Sequence, residues 1–247
     1  MRQLYISLAL LSGIFLAAAC HRTEPQPLPE SLSIQDTTVL RICLEHFDWN
    51  GDGVFTPGEA AAVNDISTWF KGTGIQTFKE LQYFTGLDMI PANAFSGCWR
   101  LQEIVLPESI VIISDRAFFR CIQLSSVNIP SRVRKIKDSS FAECSALPEA
   151  ILPSSLESIG PYAFVECESM KTLRIPASVL SLGEDFMGSG LEDLYLESKS
   201  VVPARFTPLF ASLLRKDLKI HVPASLLDQY KADSRWLVFV DRMVGDL

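Results

Sequence analysis

Cys98, Cys121, Cys144 and Cys167 follow one another at intervals of 23 residues, and four other columns keep the same step. Phe95, Phe118, Phe141 and Phe164 stand three before each cysteine, and Leu101, Leu124, Leu147 and Met170 three after. Leu106, Ile129, Leu152 and Ile175 stand eight after, each followed by proline (Pro107, Pro130, Pro153, Pro176), and Ile113, Ile136, Ile159 and Leu182 form a further column. A 23-residue coil cannot bury its own apolar side, so coils in one register must stack until a continuous core forms. The chain is therefore expected to be a β-rich solenoid. The earliest coil starts near Ile75, with Phe78, Leu81, Tyr83, Ile90 and Phe95 in matching places. After Cys167 the cysteine column falls on Gly190; Leu196 still fits, and then the register drifts.

Period-two alternation along the first strand of each coil sends Ile104 and Leu106 inward and Glu103 and Val105 outward. The outward ladder continues with Ser126 and Asn128, Glu149 and Ile151, Thr172 and Arg174, then Tyr195 and Glu197. A partner is expected on that face, with Glu103, Val105, Asn128, Ile151, Arg174 and Tyr195 as candidate contacts. The apolar Val105 and Ile151 suit a protein surface, and no repeated aromatic or amide row suggests a sugar-stacking platform. Arg132, Arg134, Lys135 and Lys137 surround Val133 and Ile136, which reads as a solvated basic face of one coil. Lysine and arginine total 22 against 29 aspartates and glutamates, for a net charge of -7, which disfavours binding to phosphate backbones. With a mean hydropathy of +0.20, the chain is not a disordered polar tail.

The pattern C-x-x-L-x-x-[IV]-x-[LI]-P, followed later by A-F, resembles the BspA-like leucine-rich repeat over about residues 75 to 200. Lys219 to Ser225, then Tyr230, Lys231 and Trp236, is similar to the closing segment of such arrays, where a strand and short helix cover the last coil. The resemblance implies a bacterial cell-surface protein of the Bacteroides type that binds rather than catalyses. It also implies adhesion to host matrix proteins or to other bacteria.

Arg2 precedes an apolar run from Leu4 to Ala19 that is too short for a comfortable bilayer span and ends in small residues, as a secretory leader does. Cys20 directly after three alanines resembles a bacterial lipobox, although leucine lies four residues before it rather than three. Residues 1–19 are expected to be removed and Cys20 acylated, which holds the chain at a membrane without spanning it. Proline-rich residues 20–34 then form a tether. The expected location is the cell envelope, as an outer-membrane lipoprotein. The facing side stays open, because no acidic run follows Cys20.

Val39, Leu40, Cys43, Leu44 and Phe47 recur at helical steps before Asp48-Trp49-Asn50-Gly51-Asp52-Gly53-Val54-Phe55-Thr56-Pro57-Gly58-Glu59, which matches an EF-hand loop with glutamate in its twelfth place. Calcium takes six to eight oxygens. Asp48, Asn50 and Asp52 alternate inward, Gly53 permits the bend, Val54 offers its carbonyl, and Thr56 and Glu59 close the shell. EF-hands generally pair, whereas this chain has one loop, which suits a structural calcium site better than a sensor.

The evenly spaced cysteines lack the close pairing of metal ligands and read as core fillers, as does Cys43. His46 and His221 have no nucleophile motif nearby and read as partly exposed structural residues, so no candidate for catalysis remains. The expected organisation is a leader (1–19), tether (20–34), calcium module (35–66), leucine-rich repeat solenoid (67–200) and C-terminal strand-helix cap (201–247). The expected function is protein binding, with a non-catalytic glycan-binding or scaffold subunit of a surface assembly as the alternative.

Overall fold

The first three coils each lay down two short strands and a turn, and successive coils hydrogen-bond to one another through these segments. The computed structural model describes residues 30–183, 189–204, 206 and 214–247, so the leader and Cys20 lie outside the described residues. Three sheets result, all parallel. The first joins β1 (Thr77–Phe78), β3 (Glu103–Val105) and β5 (Ser126–Asn128). The second stacks β2 (Met89–Ile90), β4 (Ile112–Ile113), β6 (Lys135–Ile136) and β7 (Ser158–Ile159), and a bridge from Leu182 to Ala204 lies further along the chain. The third orders β8 (Thr172–Ile175), β9 (Asp193–Leu196), β10 (Lys219–Val222) and β11 (Met243–Gly245).

The turn between the two strands of a coil contains a third ladder. Backbone N–H groups of Asn93, Phe95 and Gly97 donate to carbonyls of Asp115, Ala117 and Phe119, and the pattern repeats from Arg116, Phe118 and Arg120 and again from Ser139, Phe141 and Glu143. Left-handed backbone makes this possible, in two columns: Asn93, Arg116, Ser139 and Tyr162, then Gly97, Arg120, Glu143 and Glu166. Seven of these eight carry a side chain at positive φ, a strain of about 1 kcal/mol each that is offset by roughly as much from each inter-coil hydrogen bond.

The repeat columns form the core. Phe95, Phe118, Phe141 and Phe164 stack face to face with centroids 5.1 to 5.5 Å apart and interplanar angles of 2° to 9°. The cysteines run in single file beside them. Cys98, Cys121, Cys144 and Cys167 donate their thiol hydrogens to the carbonyls of Phe70, Phe95, Phe118 and Phe141, at 3.0 to 3.3 Å. All are buried and free. Burial pushes each thiol above its ordinary range, Cys167 to about 12, so the neutral hydrogen-bonding form persists.

The two ends of the solenoid are closed differently. At the N-terminal end, α1 (Thr37–His46) and α2 (Pro57–Ala62) pack on the first coil through Phe47, Phe55 and Phe84, whose ring centroids lie 5.8 to 6.0 Å apart. Asp36 serves two elements at once. Its Oδ1 caps α1 by accepting from Thr38 and Val39, while Oδ2 accepts from the backbone of Gln76 and Thr77 at the free edge of β1. Thr77 pairs with Glu103, 26 residues on rather than 23, so the first coil is longer than the repeat.

The C-terminal end is more than the expected strand and helix. Two further strands, β10 and β11, extend the ladder in parallel with β9. The helix α3 (Leu227–Ala232) carries Tyr230, fully buried, whose hydroxyl accepts from the Val202 N–H at 3.1 Å. Trp236 donates its indole N–H to the Val202 carbonyl at 2.8 Å. The sequence register drifts here because these residues close the core instead of repeating it.

Phe118→Ala should lower unfolding stability by about 3–5 kcal/mol in chemical denaturation, since the stacked rings on both sides cannot collapse into the space. Native protein at about pH 8 should leave the four coil thiols unalkylated by iodoacetamide, and denaturant should expose all four.

Candidate functional site

Two surfaces carry the residues that the sequence singles out: the loop between α1 and α2, and the outward face of the first and third sheets. In the loop, the carboxylate of Asp48 accepts from the backbone of Gly51 and Gly53, each at 2.9 Å. Asn50 Oδ1 accepts from Asp52 N–H and Asp52 Oδ1 from Val54 N–H, both at 2.8 Å. Gly53 has φ +79°, the left-handed bend that the sixth place requires. Thr56 caps α2, with its hydroxyl accepting from Glu59 N–H while Glu59 Oε2 accepts from the backbone and hydroxyl of Thr56. That box uses one oxygen of Glu59. The other, Oε1, is buried without a hydrogen-bond partner in a residue only 9% exposed.

A buried carboxylate oxygen left bare costs about 1–3 kcal/mol unless something positive meets it. The oxygens of Asp48, Asn50, Asp52, Thr56 and Glu59 and the Val54 carbonyl form a donor set suited to a hard cation. Their present partners are within the loop, and no three His, Cys, Asp or Glu side chains among the described residues gather as a metal-holding group. Phe55, in the eighth place, is buried, and its carbonyl accepts from Leu32 N–H at 2.8 Å. The residues just before α1 thus occupy a flank of the loop that has no second loop beside it.

On the outward face, Ile104 and Leu106 are buried while Glu103 and Val105 are part-exposed, as alternation requires. Glu103 pairs with Lys79 at 2.8 Å. Val105 lies in register with Asn128, whose amide side chain brackets Leu106, accepting from its N–H and donating to its carbonyl. Arg174, Tyr195 and His221 are register neighbours across β8, β9 and β10 and form a stack. The guanidinium carbon of Arg174 lies 3.9 Å from the Tyr195 ring centroid, and the His221 ring lies parallel to Tyr195 at 4.2 Å. Both faces of the phenol are therefore covered.

His221 departs from the partly exposed residue expected of it. It is only 7% exposed, with Nε2 at 2.8 Å from Asp193 and Nδ1 at 2.9 Å from Asp246, so it ties β9 and β10 to the chain end. The alternating pattern of β10 puts His221 on the outward face, but the two aspartates come from distant positions and nothing in the sequence pairs them with it. His46, in contrast, stays part-exposed and stacks on Trp69 at 3.7 Å. The basic strip is partly neutralised, by Arg134 with Glu157 and Lys137 with Asp115.

Ile151 is the most exposed large apolar residue among the described residues, at 75%, yet it lies on no strand. The fourth coil has Pro148 where the others have Gln102, Ser125 and Lys171, and proline has no N–H to give the ladder. The outward sheet therefore stops at β5 and starts again at β8.

Parallel strands stacked coil on coil around an aromatic and thiol core define a leucine-rich repeat solenoid. The chain belongs to the BspA-type leucine-rich repeat family, which matches in six copies over residues 68–199. Among solved structures it is similar to a leucine-rich repeat protein of T. pallidum (29% identity, 45% of this chain and 53% of that one, TM-score 0.44). It is also similar to one from Bacteroides ovatus (26%, 57% and 39%, TM-score 0.47). The chain thus spans about half or less of each. No match was found among curated proteins.

His221→Ala should destabilise the chain by about 2–3 kcal/mol in urea denaturation, since it removes a buried ring and leaves the two carboxylates without their shared partner. Amide exchange at Met243–Gly245 should accelerate.

Proposed function

We propose that the chain is a non-catalytic cell-envelope lipoprotein whose leucine-rich repeat solenoid binds protein at the bacterial surface, with calcium in the loop of residues 48–59 as a structural ion. The observation that carries the binding role is the outward side of the coils, where Glu103, Val105 and Asn128 on β3 and β5 and Arg174 and Tyr195 on β8 and β9 flank the exposed Ile151. Repeats of this family generally act as protein-binding scaffolds. The glycan-binding alternative is less well supported on this face, because Tyr195 has both ring faces covered. Among the described residues no helix is long and apolar enough to cross a membrane. In this reading the chain is attached through acylated Cys20.

For calcium, support comes from the unpartnered Oε1 of Glu59 and from the loop's left-handed glycines. Asp48, Asn50, Asp52, the Val54 carbonyl, Thr56 and Glu59 would hold the ion, which supplies positive charge to the buried carboxylate and ties α2 to the loop. Affinity of the extracellular kind, with Kd of ~10⁻⁴ to 10⁻³ M, suits a site that stays filled outside the cell.

Two outcomes are expected. Calcium at about 10 mM should stabilise the mature chain by about 1–3 kcal/mol, read as a rise in melting temperature over chelator, and Glu59→Gln should abolish the rise while keeping the helix cap. Identical melting curves with calcium and chelator would refute the site. In pull-downs of residues 20–247 from host and bacterial extracts, the identified partner should be lost with Val105→Asp and, separately, with Ile151→Asp. Retention by both variants would move the binding surface off this face.

A further inference from the structure

The interruption at the fourth coil is more than a missing pair of hydrogen bonds. In the first inward column of the outward sheet, Ile104, Val127 and Leu173 precede and follow Ala150, so the coil that carries Pro148 also carries the smallest residue of that column. Its neighbours loosen accordingly. Val127, Ile129 and Leu152 are only partly buried, whereas Ile104, Leu106, Leu173 and Ile175 are at most 1% exposed. No backbone N–H of residues 149–152 is hydrogen-bonded among the described residues, and β5 and β8 each present a free edge toward this segment. Clefts open on both sides. A larger one of about 280 Å³ lies toward β8, between Ala150, Ile151 and Leu152 on one wall and Thr172, Arg174 and Glu197 on the other. A smaller one of about 80 Å³ lies toward β5.

Bare backbone donors and acceptors, a half-exposed aliphatic wall and a free strand edge are together what an added strand requires. Main-chain hydrogen bonds supply affinity there, and alternate side chains fill pockets. We infer that the cleft between residues 149–152 and β8 takes an extended peptide segment of its protein partner, one that pairs its backbone with the free edge of β8 and with residues 149–152 and sets an aliphatic side chain over Ala150 and Leu152. Charge narrows the choice. Arg174 is already paired with Glu197, at 3.3 Å, while Glu149 at the other wall has no ion pair among the described residues. The fitting segment is therefore aliphatic with a flanking lysine or arginine. This rests on the protein-binding reading of the outward face and names the segment that it recognises.

The test uses the mature chain and the peptide acetyl-Lys-Val-Thr-Val-Lys-amide, with an acidic version carrying glutamate for lysine and a version with N-methylated backbone. Saturable binding is expected below ~1 mM, with slowed amide exchange confined to residues 149–152 and 172–175. Binding should weaken at least about tenfold with the acidic version and vanish with the N-methylated one. The double variant Pro148→Lys, Ala150→Val puts in residue types that the same columns hold at Lys171 and Val127. It should close the ladder, protect 149–152 without peptide, keep or raise the melting temperature, and lose the peptide.

No protection by the peptide, or equal binding of the N-methylated version, overturns the inference. Concentration-dependent protection of 149–152 in the peptide-free chain, together with dimers in sedimentation, would assign the cleft to a second copy and likewise overturn it. If the peptide fails while Val105→Asp still releases the cellular partner, the cleft inference falls and the binding face stands. If the peptide binds while neither Val105→Asp nor Ile151→Asp releases the partner, the reverse holds.

Discussion

A coil of 23 residues has too little interior to keep itself dry, and everything else in this molecule follows from how neighbours share that task. Each coil gives its neighbour a phenylalanine face, a thiol hydrogen bond to a main-chain carbonyl and three backbone bonds from the turn. Because the same groups recur in the same places, the strain of left-handed residues such as Arg116 and Arg120 is met locally, coil by coil. Stability is thus close to a sum of nearest-neighbour terms, and the most vulnerable places are those where a term is missing: the two ends and the fourth coil.

The ends solve the same problem with different chemistry. At the start, one carboxylate, Asp36, satisfies a helix terminus and a strand edge together, and three phenylalanines bind the helix-loop-helix to the first coil. At the finish, the ladder runs on through β10 and β11, and Tyr230 and Trp236 grip the main chain at Val202. The Arg174, Tyr195 and His221 stack lies on this last sheet, so a surface proposed for binding is also part of the closure.

The repeating part was legible because a core column must hold its residue type: cysteines, phenylalanines and leucines fell where spacing placed them. The inward and outward sides of β3 were legible from alternation alone. What escaped were features whose partners are far apart in sequence or unique to one place. Asp193 and Asp246 meet His221 only because β10 is inserted beside β9, and no period connects them. Pro148 was visible in the fourth coil, and the loss of its N–H could have predicted the break. The coincidence with Ala150, which turns a break into a cleft, depends on reading two columns together. In the loop, the oxygen donors were evident from spacing and Thr56-Pro57-Gly58-Glu59 has the form of a helix capping box, while the second oxygen of Glu59, buried and bare, could be seen only in three dimensions.

The left-handed positions accept Asn93, Arg116, Ser139 and Tyr162 in turn, so the bend of the coil is dictated by main-chain bonding and not by the identity of the residue there. A gene encoding such a chain can therefore gain or lose whole units by recombination between them, since every ordinary junction offers the same mating surfaces. The unit bearing Pro148 and Ala150 is the exception, because it meets its neighbours differently and exchanging it for a sibling would close the cleft beside it.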